Sequence, residues 1–157
     1  MNNSEYIERR DSQGNLHHLV LPAIDFPGRK EWWLYGQKHR IDKPAVVVDG
    51  DKEEWCIKGK LHRDGGPAVT EWFEDGSYLK MWFQNGLLHN DCEPAVLYSS
   101  GKQSWYWEGK LHRDDGYPAV IKTPNDVEYW VYGIKVEKDS WELKEAIKNA
   151  RVGNLKE

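Results

Sequence analysis

The chain has 157 residues, a length that suits a single domain. Its formal net charge is −4, with acidic and basic residues interleaved throughout, so it lacks the basic face that general nucleic-acid binding requires. No apolar run reaches the length of a membrane span, and the first residues lack the apolar stretch of a secretion signal.

The aromatic content is unusual: nine Trp and eight Tyr against three Phe. Trp is a bulky apolar plate with one N–H that needs a partner. So many in a small chain imply a packing position that recurs. Self-similarity along the chain supplies it. Residues 14–24 read GNLHHLVLPAI and residues 36–46 read GQKHRIDKPAV. Residues 59–69 read GKLHRDGGPAV, 86–96 GLLHNDCEPAV and 109–120 GKLHRDDGYPAV. The leading glycines, from Gly14 to Gly133, are spaced by 22, 23, 27, 23 and 24 residues. Four residues before each later glycine stands Trp32, Trp55, Trp82, Trp105 or Tyr129.

Each unit is expected to form two strands. One runs from the Trp to the residue before the glycine, as in Glu54–Lys58 or Ser104–Glu108. The other begins at Pro-Ala-Val, as in Pro67–Phe73, where the proline's missing N–H costs no ladder bond. Turns are expected at Pro27-Gly28, Asp49-Gly50, Asp75-Gly76, Ser100-Gly101 and Asn125-Asp126. A lone hairpin is marginal, so neighbours must stack and share a face. The aromatic line and Val46, Val69, Val96 and Val120 are expected on that face. The small Ala45, Ala68, Ala95 and Ala119 are expected where chains approach closely. The fold class is therefore all-β: an elongated or curled antiparallel sheet of about five consecutive β-hairpin repeats over residues 1–138. Residues 139–152 are expected to form a helix that caps the last repeat. Asp139 and Glu142 make a capping box; Leu143, Ala146, Ile147 and Ala150 form the apolar stripe; Trp141 pins it to the sheet; Gly153 stops it.

The assembled motif resembles the MORN-repeat superfamily, in a variant with a W-x(3)-G-x(2)-H-R-x-D-G-P-A-V core found in phage, giant-virus and some bacterial proteins. The resemblance covers about residues 10–136. Trp55, Gly59, His62, Arg63, Pro67, Ala68 and Val69 match it, while Asp64 follows Arg63 directly, so the aspartate has no fixed offset across the repeats. Trp105, Gly109, His112, Arg113, Pro118, Ala119 and Val120 match with one extra residue before the proline, and Asp114 again follows the arginine directly. The copy at 86–96 departs at Asn90, Cys92 and Glu93. The resemblance implies a sheet of successive hairpins used for protein–protein contact or scaffolding, for instance by a phage or viral factor that binds and inhibits a host protein.

Chemistry is hard to find in this pattern. His39, His62, His89 and His112 are repeat residues. Equivalent positions two strands apart lie about 10 Å apart, too far to converge on one metal ion. Pairing with Asp42, Asp64, Asp91 and Asp114 would instead staple a turn. Cys56 reads as a packed small hydrophobe, and Cys92 as a turn residue with no activating arrangement. No catalytic residue, metal or cofactor is expected, and the protein is read as a non-enzyme. The alternatives are an enzyme with a cleft between curled hairpins and a structural assembly piece. Two unpaired thiols suggest the cytoplasm, or the host cytoplasm for a phage or viral protein.

Specificity should lie where the repeats differ. Trp72, Phe73 and Tyr78 sit in the enlarged unit between Gly59 and Gly86, and Tyr106 and Trp107 are aromatics the repeat does not need. These five are the candidate contact residues for a protein partner of unknown identity. Whether they lie on an open face or in a second core stays open, as does assembly into homo-oligomers.

Overall fold

Gly and Asp tolerate the backbone that a tight reversal needs, and the chain reverses at those steps. A computed structural model describes residues 5–153. Val46–Val48 and Lys52–Glu54 pair antiparallel across Asp49-Gly50, with Gly50 at φ 82°. The same hairpin recurs as Ile24–Phe26 with Arg29–Glu31, and as Val69–Trp72 with Tyr78–Met81. It recurs again as Val96–Tyr98 with Gln103–Ser104, and as Val120–Thr123 with Asp126–Val131.

The expected single strand through each Trp does not form in the units of Trp32, Trp55 and Trp105. The strand stops at the Trp and a second, shorter hairpin begins. Cys56–Ile57 pairs with Lys60–Leu61, Trp33–Leu34 with Gln37–Lys38, and Tyr106–Trp107 with Lys110–Leu111. The cause is a change of hydrogen-bond partner at the Trp. The Trp55 N–H donates outward to the Ala68 carbonyl at 2.7 Å, while the Trp55 carbonyl accepts the His62 N–H of its own unit at 3.0 Å. Trp32 and Trp105 make the same exchange with Ala45 and His39, and with Ala119 and His112. At Tyr129 the strand runs on unbroken from Asp126 to Val131 and pairs on both sides. A repeat is thus two hairpins at a Trp corner. Lys58 (φ 50°) and Gly59 (φ 75°) turn the short one, the pair of positive φ values that matches strand twist.

The chain divides into two compact units, Met1–Gly86 and Leu87–Glu157. In the first, neighbouring strands follow the order Ile7–Glu8, Ile24–Phe26, Arg29–Glu31, Val46–Val48, Lys52–Glu54, Val69–Trp72 and Tyr78–Met81. Ile24, Glu31, Val46, Glu54, Val69 and Met81 stand in one cross-strand row. Carboxylates in that row are neutralised where they stand. Glu31, only 4% exposed, pairs with Arg29 and accepts the Trp33 Nε1–H at 2.8 Å. Burial raises the Glu54 carboxyl, but Lys52 at 2.9 Å and Lys38 at 3.2 Å outweigh it and leave it below the usual range. Trp33 and Lys38 belong to a short hairpin, so these bonds fold that hairpin over the row. The alanines behave as their size demands: Ala23, Ala45 and Ala68 are 0% exposed.

In the second unit the order is Val96–Tyr98, Gln103–Ser104, Val120–Thr123, Asp126–Val131 and Ile134–Val136. Ala95 and Ala119 are fully buried there too. The helix, Trp141–Gly153, belongs to this unit and rests on the turn Asp114–Gly116 and the strand Asp126–Val131. Its cap is Ser140 rather than Asp139. Asp139 takes a left-handed φ of 69°, and Ser140 Oγ accepts the Leu143 N–H at 3.3 Å. Trp141 does not pin the helix, since it is 71% exposed; buried Leu143 and half-buried Ile147, the latter against Gly116, do the packing. The side chain of Ala150 lies outside the described residues.

Candidate binding cleft

The repeat histidines are fixed from one repeat to the next. Each Nδ1 accepts the backbone N–H of the positive-φ residue in the following short turn. The bonds are His17 to Tyr35 at 3.1 Å, His39 to Lys58 at 3.0 Å, and His62 to Asn85 at 3.2 Å. In the second unit they are His89 to Glu108 at 3.1 Å and His112 to Tyr132 at 3.4 Å. The glycine of each turn adds a parallel backbone bond, such as Gly59 N–H to the Lys38 carbonyl at 2.9 Å. An accepting Nδ1 carries no hydrogen, which leaves Nε2 as the donor. Nε2 finds the expected aspartate where the offset is two residues: His89 to Asp91 at 2.9 Å, His112 to Asp114 at 3.0 Å, and a looser His62 to Asp64 at 3.5 Å. Ile41 occupies that offset after His39, and Asp42 stands one residue further on.

The arginine beside each histidine is also engaged. The guanidinium carbons of Arg40, Arg63 and Arg113 lie over Trp32, Trp55 and Trp105 at 3.7, 3.8 and 3.7 Å from the ring centre. Each donates to the carbonyl of its Pro-Ala-Val proline, at 3.2, 3.2 and 3.3 Å. Asn90 keeps the carbonyl bond, to Pro94 at 3.4 Å. The motif therefore uses its polar side chains internally. Among the described residues no three His, Cys, Asp or Glu side chains are grouped to hold a metal ion. Cys56 is buried, and that burial, with Glu54 nearby, pushes its thiol up to about 11. Cys92 is exposed.

The candidate contact residues separate by location. In the first unit Trp72 and Tyr78 face each other across the enlarged hairpin, and Phe73 follows at its tip. Trp72 and Phe73 are exposed, at 40% and 48%. In the second unit Tyr106 is half-buried opposite Leu111, whereas Trp107 is exposed and packs its ring 4.6 Å from His89.

Trp107 also lines a cleft of about 540 Å³ between the last short hairpins and the helix. Its other walls include His112, Asp114, Tyr132, Trp141, Glu142 and Glu145. His112 is nearly buried and stacks on Tyr132 at 4.0 Å, so its position is set by the repeat. Sequence reasoning missed Tyr132 and Trp141 as parts of one surface. Their meeting depends on where the helix docks, and the expectation that Trp141 packs against the sheet pointed away from it.

No protein-family model and no curated protein matches this chain.

Proposed function

We propose that this chain is a non-catalytic protein–protein interaction module or scaffold, built from MORN-like repeats. One observation carries the reading. The recurring His, Arg and Trp residues are committed to holding repeats together, while Trp72, Phe73, Trp107 and Trp141, which the repeat does not need, are exposed. Exposed aromatics set on a rigid scaffold are effective anchors for a partner. The free thiols of Cys56 and Cys92 favour a reducing compartment such as the cytoplasm. Among the described residues no helix is long and apolar enough to cross a membrane.

The His112–Asp114 pair inside the cleft is the feature that would favour an enzyme. The same pair recurs as His89–Asp91, and both histidines spend Nδ1 on a turn, which supports the structural role. Co-purification from the native host with W72A/F73A and W107A variants as controls tests the proposal. A partner retained by the native chain and lost by one of these variants supports it. Equal retention by all of them removes these aromatics as the contact surface.

A further inference from the structure

We propose, building on the interaction-module reading, that the cleft against the C-terminal helix receives an arginine side chain from a basic segment of a protein partner. Three aromatic rings, Trp107, Tyr132 and Trp141, border a cavity of about 540 Å³, room for a side chain rather than a folded element. Trp141 is 71% exposed, although buried Leu143 and half-buried Ile147 on the same helix show that an apolar residue could have packed inward. The charged part of the wall is acidic: Asp114, Glu142 and Glu145 line the cleft, and among the described residues no lysine or arginine does. Lys148 approaches Glu145 only at 3.9 Å along the exposed helix face. Asp114 already bonds His112, so Glu142 and Glu145 are the carboxylates open to a ligand. They also offset the positive end of the helix, which would otherwise repel a cation.

Aromatic faces beside carboxylates attract a flat cation above all, because the guanidinium can stack and donate paired hydrogen bonds at once. The protein uses this chemistry within its own fold, where Arg113 lies 3.7 Å over Trp105. A net charge of −4 adds long-range attraction for a basic segment.

The test uses the full chain and a short fluorescein-labelled Gly/Ser peptide carrying arginines, with lysine and glutamine versions, read by fluorescence anisotropy. The arginine peptide should bind most tightly and the glutamine peptide least. W141A, and separately E142Q/E145Q, should each weaken the arginine peptide by roughly tenfold, the scale of losing a desolvated cation–aromatic or ionic contact. W72A/F73A should bind it unchanged. Far-UV circular dichroism confirms that the helix is retained; Trp141 is exposed enough to be removed without unfolding it. Equal binding of arginine and glutamine peptides, or unchanged affinity in both cleft variants, overturns the inference. That failure is separable from failure of the broader reading: loss of a co-purified partner in W72A/F73A, whose two residues lie outside the cleft, would keep the interaction module while discarding the arginine pocket.

Discussion

Arg63 combines two contacts that can be removed separately. Its guanidinium lies 3.8 Å over the Trp55 ring and donates to the Pro67 carbonyl at 3.2 Å. Arg63 is half-buried, which places the stack at about 1 kcal/mol, between an exposed and a desolvated pair. A hydrogen bond from a charged donor adds about 1.5 kcal/mol. Arg63→Ala should therefore destabilise the first unit by roughly 2–3 kcal/mol. Arg63→Asn should cost only about 1 kcal/mol, because Asn90 shows that an amide still reaches the proline carbonyl. A double-mutant cycle with Trp55→Leu isolates the stack, and its coupling should be about 1 kcal/mol. Urea unfolding followed by circular dichroism gives each value. A coupling near zero, or an alanine variant as stable as the native chain, would refute the view that Arg on Trp holds the corner of each repeat.

Gly65 and Gly116 both have positive φ, at 72° and 75°, so alanine at either should cost about 1–2 kcal/mol. Only Gly116→Ala should also loosen the helix, since its new Cβ would lie 2.5 Å from Ile147 Cδ1; faster amide exchange at residues 144–149 reads this out. Glu128 is held down to about 2 by the Lys122 ammonium, the Trp130 Nε1–H and Lys135. Between its ordinary 4.5 and that value the unfolded chain binds more protons than the folded one, so stability in the second unit falls as pH drops through this window. Glu128→Gln should flatten that part of the stability–pH profile. A thiol held near 11 and buried is a poor nucleophile, so a thiol reagent at neutral pH should label Cys92 quickly and Cys56 only after unfolding; equal rates in the folded chain would contradict the packing assigned to Cys56.

Much of this architecture is legible from residues alone. The glycine spacing and Pro-Ala-Val starts mark the hairpins, because proline and positive-φ residues have few places to go. The break at Trp55 is not legible: Glu54, Trp55 and Cys56 all suit a strand, and only the change of backbone partner from Ala68 to His62 ends it. The histidine's role is hidden for a similar reason. Its aspartate is two residues away, but its decisive partner, such as Lys58 for His39, lies 19 residues away in the next repeat. Asp139 and Ser140 are adjacent and equally able to cap, so only geometry selects Ser140. The cleft depends on Ile147 seating against Gly116, a long-range contact that brings Trp141 to the same cleft as Trp107. That Trp72, Phe73 and Trp107 lie outside the needs of the repeat is legible in the spacing, whereas their exposure is set by the fold.

That the repeat histidines are framework rather than chemistry is tested most directly by their tautomers. Long-range proton–nitrogen correlation spectra at mildly alkaline pH report which ring nitrogen carries the hydrogen. His17, His39, His62, His89 and His112 should all show a bare Nδ1 and a protonated Nε2, as five N–H bonds into Nδ1 require. Hydrogen on Nδ1, or the exchanging mixture of a free imidazole at these positions, would contradict the account.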